Sequence, residues 1–218
     1  MPRRSAKSIG LMAGLAMLGS LLPGPAAAHP HVWITMHTEL VYATDGRITG
    51  VRHTWAFDDM FSTFAIQGLE SKEKGKFTRE ELAALAKRNV ESFKEFDYFT
   101  YATADGKKVP LGDPLSDYWL DYKDSILTVH FTLPFKTPVQ ANELKLEVYD
   151  PTIFVNFEFA KETPVKFVGA PQCKFDIALP REMTSTERIA LSQIAPDVSN
   201  TTMAWGAQFA NKILVHCP

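Results

Sequence analysis

The sequence predicts a mainly β protein: a β-sandwich of antiparallel strands with one or two helical insertions, with an α+β arrangement as the alternative. Two observations carry this prediction. Short segments in which apolar and polar residues alternate are separated by prolines and turn residues, which is typical of half-buried strands. Two Asp-Gly pairs, Asp45-Gly46 and Asp105-Gly106, lie between such segments, and Asp-Gly in this setting is the strongest short-range signal for a β-hairpin.

The first hairpin is predicted from Val32 to Tyr42 and from Ile48 to Phe57. With Asp45 and Gly46 as the two turn residues, facing residues have numbers that add up to 91. The apolar pairs on one face are Leu40 with Val51, Met36 with Trp55, and Ile34 with Phe57. Glu39 then faces Arg52 on the other side, which is a favourable cross-strand pair. Both faces therefore support this register.

Later segments predict the remaining strands. An aromatic run from Asp97 to Tyr101 precedes the second Asp-Gly turn. Further strands are predicted at Tyr118–Tyr122, Ile126–Leu133, Leu144–Tyr149, Ile153–Phe159, Val165–Val168 and, after an ambiguous stretch from Asn200, Ile213–His216. Because proline cannot donate to a strand ladder, Pro134 is expected to mark the end of the strand that begins at Ile126.

Two helices are predicted to interrupt the strands. Thr78-x-x-Glu81 is a capping box, and an apolar stripe at helical spacing follows it, which places a helical insertion around residues 78–94. Thr184-x-x-Glu187 is a second capping box, and its shorter helix is expected to stop before Pro196.

Residues 1–28 have the three parts of a cleavable secretory signal peptide. Three cationic residues form a basic start, an apolar run extends from Ile9 to Leu22, and Ala26 and Ala28 are the small residues that a cut after Ala28 requires. We therefore expect residues 29–218 to form a single β-rich domain in the periplasm, without stable membrane insertion. An uncleaved membrane anchor is the alternative. Loss of the signal lowers the formal net charge from −2 to −5, which does not favour nucleic-acid binding.

Both cysteines, Cys173 and Cys217, lie in the predicted mature chain. In an oxidising compartment, two cysteines predict one disulfide that ties down the C-terminus. The alternative is thiolate coordination of a metal ion, with His216 beside Cys217.

A cut after Ala28 would make His29 the first residue, followed by Pro30 and His31. The amine and ring of a first-position histidine can chelate a metal ion together, an arrangement called a histidine brace. Pro30 has no amide N–H, so the motif that binds metal through successive deprotonated amides is blocked. Such nitrogen-rich sites suit copper, nickel, cobalt and zinc. The alternative is that His-Pro-His is only a polar strand start.

Carboxylates from elsewhere in the chain could complete such a site. The hairpin register places Asp58 at the strand end where His29 and His31 lie, and apart from His53, which points to the apolar side. Asp150, between two predicted strands, is the second candidate; the alternative for it is an Asx-type turn. His53 is interpreted as a hydrogen-bonded core histidine, with a ligand role as the alternative.

The stretch from Glu70 to Glu81 has the spacing of an EF-hand calcium loop, but Lys72, Lys74 and Lys76 occupy three ligand positions. A calcium ion would meet ammonium groups there instead of oxygen atoms. No calcium is expected, and Glu81 is interpreted as a capping residue.

Four stretches carry a family resemblance: His29-Pro30-His31-Val32, Trp55-Ala56-Phe57-Asp58-Asp59-Met60-Phe61, Asp97-Tyr98-Phe99-Thr100 and Tyr149-Asp150-Pro151-Thr152. In these the chain resembles the DUF1007 family of bacterial exported proteins, sometimes described as the periplasmic component of an uncharacterised transport system. The resemblance implies an association with nickel/cobalt-type permeases in the membrane. It does not supply an activity.

The sequence thus predicts a periplasmic accessory protein, not an enzyme, that binds a transition metal for transport or homeostasis. Its metal ligands would be His29 and His31, with Asp58 or Asp150, and its partner a membrane metal-transport permease. One alternative is a β-sandwich interaction module that docks on a membrane transporter without binding metal. A more remote alternative is a copper histidine-brace oxidative enzyme.

Overall fold

A computed structural model describes residues 32–169, 172–187 and 205–218. Two helices lie wholly within these ranges, α1 (Asp59–Ala65) and α2 (Arg79–Phe93). Residues 185–187 and 205–206 are also helical, and the rest of the helix predicted after Thr184 lies outside the described residues. Eleven strands are seen in the described part of the chain: β1 (Val32–Tyr42), β2 (Ile48–Phe57), β3 (Thr100–Ala104), β4 (Lys107–Val109), β5 (Trp119–Lys123), β6 (Ile126–Val139), β7 (Glu143–Val148), β8 (Val155–Phe159), β9 (Val165–Val168), β10 (Lys174–Ala178) and β11 (Asn211–His216). The prediction of a mainly β fold with helical insertions is confirmed.

The strands form two sheets. The first has the order β5-β6-β2-β1-β8, with β9 also paired to β1, and the second has the order β10-β11-β7-β3-β4. The predicted antiparallel arrangement holds except where β8 and β9 run parallel to β1. The chain path explains this difference. β7, in the second sheet, ends near the start of β1, so β8 begins at that same end and runs in the same direction as β1.

The predicted register of the first hairpin is confirmed. Met36 pairs with Trp55 and Leu40 with Val51. On the opposite face, Arg52 forms an ion pair of 2.7 Å with Glu39. The register shifts only beside the turn, between Val41 and Tyr42. Alternation of buried and exposed residues along β1 therefore directs one face of the first sheet into the core.

Two groups cover that buried face. Towards the Asp45-Gly46 turn, apolar residues of β1 and β2 pack with residues of the second sheet. Towards the other end, α2 contributes Leu82, Leu85, Ala86, Val90 and Phe93 to a cluster around Trp55. The capping box predicted at the start of α2 is present, with Thr78 and Glu81 each accepting from the other's backbone N–H. Local capping and burial of one helix face thus act together to fix α2 on the sheet.

The strand that begins at Ile126 continues to Val139, so the prediction that it ends before Pro134 was wrong. Pro134 pairs with Gly50 at the point where the β2–β6 register shifts, so its missing N–H falls at an irregularity of the ladder. The Pro134 carbonyl accepts from the Gly112 N–H at 2.7 Å on the other side. A Cβ atom at position 50 would lie 2.4 Å from the Leu133 oxygen, so glycine is required there.

The aromatic run predicted as a strand from Asp97 differs in its first part. A 3-10 segment, Lys94–Phe99, precedes β3, and Asp97, Tyr98 and Phe99 have φ values of 51°, 54° and 53°. Phe96 and Phe99 stack with ring centroids 5.1 Å apart. The second Asp-Gly turn, at Asp105 and Gly106, joins β3 to β4 as predicted.

A disulfide joins Cys173, just before β10, to Cys217, just after β11. The prediction of a disulfide is confirmed, and the alternative of thiolate metal ligands is excluded because the two sulfur atoms are bonded to each other. Such a bond is compatible with an extracellular or periplasmic location. Within the described part of the chain, no helix is long and apolar enough to cross a membrane.

Candidate functional site at the N-terminal rim

One end of the sandwich brings together Val32 and three of the four stretches that carry the family resemblance. Since β1 is antiparallel to β2 and parallel to β8, its start lies beside the end of β2 and the start of β8. The loop before β8 contacts the segment before β3, because the Tyr149 N–H donates to the Phe99 carbonyl at 3.1 Å. We call this end, formed by the start of β1, α1, the segment 94–99 and the loop 149–154, the N-terminal rim.

Asp58 links the start of β1 to α1. One carboxylate oxygen, Oδ1, accepts from the Phe61 N–H at 2.8 Å and so caps α1. The other, Oδ2, accepts from the Trp33 N–H at 2.8 Å, and the Asp58 N–H donates to the Trp33 carbonyl at 2.9 Å. The register argument that placed Asp58 beside the first residues of β1 is therefore confirmed for the described residues. Each of its oxygens keeps a lone pair without a described partner.

Asp150 is buried, with 4% of its surface exposed. Oδ1 accepts from the N–H and the hydroxyl of Thr152, both at 2.8 Å. Oδ2 accepts from the N–H groups of Phe154 and Val155 at 3.0 and 2.9 Å. These four bonds use the four acceptor directions of a carboxylate, and they are the Asx-type turn that was the alternative for this residue. The loop in turn holds β1, because the Phe154 carbonyl accepts from the Val32 N–H at 3.3 Å.

Because Asp150 organises this loop, its replacement should destabilise the fold. In Asp150→Asn, an amide NH2 group faces backbone donors, so at least one buried hydrogen bond is lost. We expect the free energy of unfolding to fall by about 2–3 kcal/mol, measured by urea denaturation. Asp59→Asn is the matched control, since Asp59 is exposed and accepts from the Met60 N–H. Equal effects of the two changes would contradict this role.

Two tyrosines of the second sheet stack at the rim, one on β3 and one directly after β7. The rings of Tyr101 and Tyr149 stack with centroids 4.5 Å apart, and the Tyr101 hydroxyl donates to the Phe96 carbonyl at 3.2 Å. Burial raises the pKa of Tyr149 to about 12 and raises the pKa of Tyr101 further, with the neighbouring Tyr149 as a second cause. Both phenol groups therefore stay protonated at neutral pH. Their rings contribute apolar surface, and the Tyr101 hydroxyl contributes a hydrogen bond.

A cavity of about 450 Å³ opens beside the rim, between β8 and the segments around residues 181 and 209. Its apolar walls include Trp33, Phe157 and Phe209. Arg181 also lines it, but its guanidinium is bound to Glu187 at 2.6 Å and lies 4.4 Å from the Phe209 ring centroid. This ion pair, with the bonds from Thr184, lowers the pKa of Glu187 to about 2. The charge of Arg181 is thus already neutralised by a partner.

The predicted ligands His29 and His31 lie outside the described residues. Asp58 bonds to Trp33 of β1, whereas Asp150 reaches β1 only indirectly, through the Phe154 carbonyl that accepts from the Val32 N–H. In the described ranges there is no group of three His, Cys, Asp or Glu side chains placed to hold a metal ion. A metal site at this rim would need ligands from outside these ranges.

His53 lies in the core, as its first interpretation held. Its ring is fully buried, and Nδ1 and Nε2 each lie 3.2 Å from a threonine hydroxyl, Thr38 and Thr100 respectively. Burial lowers its pKa to about 3. His37 is exposed on the other face, where its Nδ1 donates to the Thr163 carbonyl at 3.1 Å. Neither histidine reaches the rim.

A second polar cluster was missed by the sequence reasoning. His130, on the outer face of β6, bonds through Nε2 to Asp121 at 2.7 Å and through Nδ1 to the Thr54 hydroxyl at 3.2 Å. Trp119 stacks on the ring at 3.8 Å, and the Arg79 guanidinium lies 4.1 Å from the Trp119 centroid. Extending the hairpin register to β5 and β6 would have found the Trp119–His130 pair. Both ring nitrogens of His130 are hydrogen-bonded within the cluster. Arg79 of α2 lies on Trp119 of β5, so the cluster joins α2 to the edge of the first sheet.

The stretch with EF-hand spacing forms a turn that leads into α2. The Glu81 carboxylate accepts from the Lys72 N–H at 2.9 Å and from the Thr78 N–H at 2.7 Å. The interpretation of Glu81 as a capping residue is confirmed. These bonds lower the pKa of Glu81, because they stabilise its charged form.

The fold and the rim define a two-sheet β protein in which three separated sequence stretches meet at one end, beside Val32 at the start of β1. Residues 14–217 match the family described as "Protein of unknown function (DUF1007)", and the chain belongs to that family.

Two relatives are described as uncharacterised proteins. A protein of Haemophilus influenzae is 24% identical over 204 residues, which cover 92% of this chain and 97% of that protein. An uncharacterised 15.5 kDa protein in the trpE 3′ region of Spirochaeta aurantia is 29% identical over 106 residues, which cover 48% of this chain and 75% of that protein.

Proposed function

We propose that the protein binds a transition metal ion in the periplasm and serves as an accessory to metal transport or homeostasis. The proposal is carried by the position of β1: it begins at Val32, directly after the His-Pro-His sequence, and Asp58 bonds to the N–H of its second residue. His29, through its amine and ring, and His31 are the proposed nitrogen ligands. The metal would be nickel, cobalt, copper or zinc, all of which accept imidazole nitrogen.

Asp58 is the better candidate for a further ligand. Both of its oxygens retain a lone pair beyond their single described hydrogen bonds, whereas the four bonds to Asp150 leave no acceptor direction unused. Metal coordination by Asp150 would therefore require the loss of a bond that holds the 149–154 loop. This comparison favours a site made of His29, His31 and Asp58.

The proposed location rests on the signal-like residues 1–28 and on the disulfide, which forms in oxidising compartments. The proposed partner is a membrane metal-transport permease, as the family resemblance implies. A carrier that delivers metal to such a permease needs its ligands at an accessible end of the molecule. The first strand of the fold begins at such an end.

The direct test compares metal binding by the exported mature protein and by His29→Ala. Intact mass first establishes whether His29 is the first residue. Isothermal titration with Cu²⁺, Ni²⁺, Co²⁺ and Zn²⁺ should then show at least a tenfold loss of affinity in the variant, since both the chelate ring and one ligand are removed. His37→Ala, an exposed histidine on the same sheet, is the control and should bind as the wild type does. Equal affinity in His29→Ala would overturn the proposal.

The second candidate function, an interaction module that binds no metal, is favoured by a separate observation. Large apolar side chains are exposed around the same rim, among them Trp33, Met60 and Phe64. Wild-type protein that binds none of the four metals would leave this function as the better explanation.

A further inference from the structure

A small cavity of about 180 Å³ lies between the segment 97–102, the end of β4 with the residues that follow it, and the second half of β6. The rings of Tyr98 and Tyr101 and the side chain of Leu111 are among its walls. Cavities that enclose drug-sized ligands have volumes of about 300–1,000 Å³. This cavity is therefore suited to a smaller molecule.

Charged side chains of both signs line the cavity: Asp97 from the segment before β3, Lys108 from β4 and Lys136 from β6. In the described part of the chain, none of these three side chains forms a hydrogen bond or an ion pair. Lys136 also lies near Asp113, but that carboxylate is already bound to Lys94 at 2.8 Å. The cavity thus brings together one carboxylate and two ammonium groups that have no direct partner in the described ranges.

The two lysines come together because β6 pairs with the chain that follows β4. Phe135 and Leu111 form an antiparallel bridge, and the Lys136 N–H donates to the Pro110 carbonyl at 2.9 Å. Lys136 therefore lies opposite Pro110. Since side chains two positions apart in an extended chain point to the same face, Lys108 is the diagonal neighbour of Lys136 on that face.

An uncommon backbone conformation holds Asp97 at the cavity. Asp97, Tyr98 and Phe99 have φ values of 51°, 54° and 53°, a left-handed conformation that costs free energy in residues other than glycine. The turn is fixed because the Thr100 N–H donates to the Asp97 carbonyl and the Tyr149 N–H donates to the Phe99 carbonyl. Tyr98 and Phe99 are buried, and Asp97 is exposed. Such conformations cluster at ligand-binding sites.

We propose that this cavity binds a small zwitterion, a free amino acid, with its carboxylate against Lys108 and Lys136 and its ammonium group against Asp97. Charge complementarity selects this class of ligand. A simple anion would meet the Asp97 carboxylate, and a simple cation would meet two ammonium groups. A ligand that carries both charges gives each of the three side chains a charge-assisted hydrogen bond. The site goes beyond the proposed function and uses none of the proposed metal ligands.

The test is an NMR titration of the isotope-labelled, exported mature protein with each of the standard amino acids in turn. At least one of them should shift the amide signals of residues 97–102 and of Lys108. Lys108→Gln and Asp97→Asn should each weaken its binding about tenfold, because each removes one charge-assisted hydrogen bond. Lys107→Gln is the matched control, since Lys107 lines the adjoining cavity and is not among the described residues that line this one. It should bind as the wild type does.

The variants should keep the fold. Lys107 and Lys108 are exposed, and asparagine tolerates the left-handed conformation of position 97. The dispersion of amide signals in each free variant checks this. His29→Ala should bind the amino acid normally, so a failure of the metal proposal and a failure of this inference are distinguishable.

Three results would overturn the inference. The first is that no amino acid shifts the signals of the cavity residues. The second is that acetate binds as tightly as the amino acid and binds equally well to Asp97→Asn, which would assign the cavity to simple anions. The third is that Lys107→Gln weakens binding as much as Lys108→Gln, because net charge and not the cavity would then account for the affinity.

Discussion

Replacing both cysteines, in Cys173→Ser/Cys217→Ser, should lower the free energy of unfolding by about 4 kcal/mol. The disulfide closes a loop of 44 residues, and the chain-entropy estimate for a loop of that length is about 4 kcal/mol. The bond joins the start of β10 to the end of β11, which are paired with each other at the edge of the second sheet. Without the bond, the unfolded chain has more conformations, and its higher entropy lowers the free energy of unfolding.

Urea denaturation with and without dithiothreitol measures this effect. The reductant should destabilise the wild type by nearly the same amount as the double substitution and leave the double variant unchanged. Ser125→Ala, at the turn that joins β5 and β6, is an unrelated control and should not respond differently to the reductant from the wild type. A wild type whose denaturation midpoint is the same in both conditions would contradict the expected contribution of the bond.

The parts of the fold that were predicted correctly depend on neighbours in sequence. The β1–β2 hairpin has a short turn and two faces whose side chains agree on one register, so the pairing of Met36 with Trp55 could be derived from the sequence. The capping box of Thr78 and Glu81 is equally local. In each case a shift by one residue would have buried polar groups or lost a bond.

The parts that were missed depend on contacts far apart in the chain. β6 continues past Pro134 because Gly50 of β2 allows the two backbones to approach closely. On the other side, the Pro134 carbonyl accepts a hydrogen bond from the Gly112 N–H. The parallel pairing of β8 with β1 follows from where β7 ends in the other sheet. Neither the continuation of β6 nor the parallel pairing of β8 can be predicted from the alternation of apolar and polar residues within one segment.

The candidate site shows the same division. The hairpin register placed Asp58 beside the first residues of β1, and the structure has it there. The sequence left two roles open for Asp150, because an Asp-Pro turn and a ligand are compatible with the same residues. Four hydrogen bonds from the backbone and Thr152 decide that this carboxylate organises its loop.

Lowering the pH from 7.5 to 5 should cost the fold about 2 kcal/mol through His53 alone. The ring lies between Trp55 and Phe131, with centroid distances of 4.9 and 5.3 Å, and is fully buried. Since the Thr100 hydroxyl donates to the Tyr98 carbonyl, it accepts from Nε2 of His53, which leaves Nδ1 to accept from Thr38. The ring is therefore held in its neutral form.

Burial lowers the pKa of His53 from its ordinary value of 6.5 to about 3. Below pH 6.5 the unfolded chain takes up a proton at this residue and the folded chain does not. Stability from the neutral ring is thus complete above pH 6.5 and is lost as the pH falls towards 3. Because one unit of pKa difference corresponds to about 1.4 kcal/mol, the total loss across this range is about 5 kcal/mol.

The free energy of unfolding at pH 7.5 and at pH 5, measured for the wild type and for His53→Gln, isolates this contribution. The glutamine amide does not titrate, so the variant should be less stable at pH 7.5 through poorer packing but lose about 2 kcal/mol less on acidification. His37→Gln, at an exposed position, should retain the pH dependence of the wild type. If His53→Gln and the wild type lose the same stability between the two pH values, His53 is not kept neutral in the folded protein.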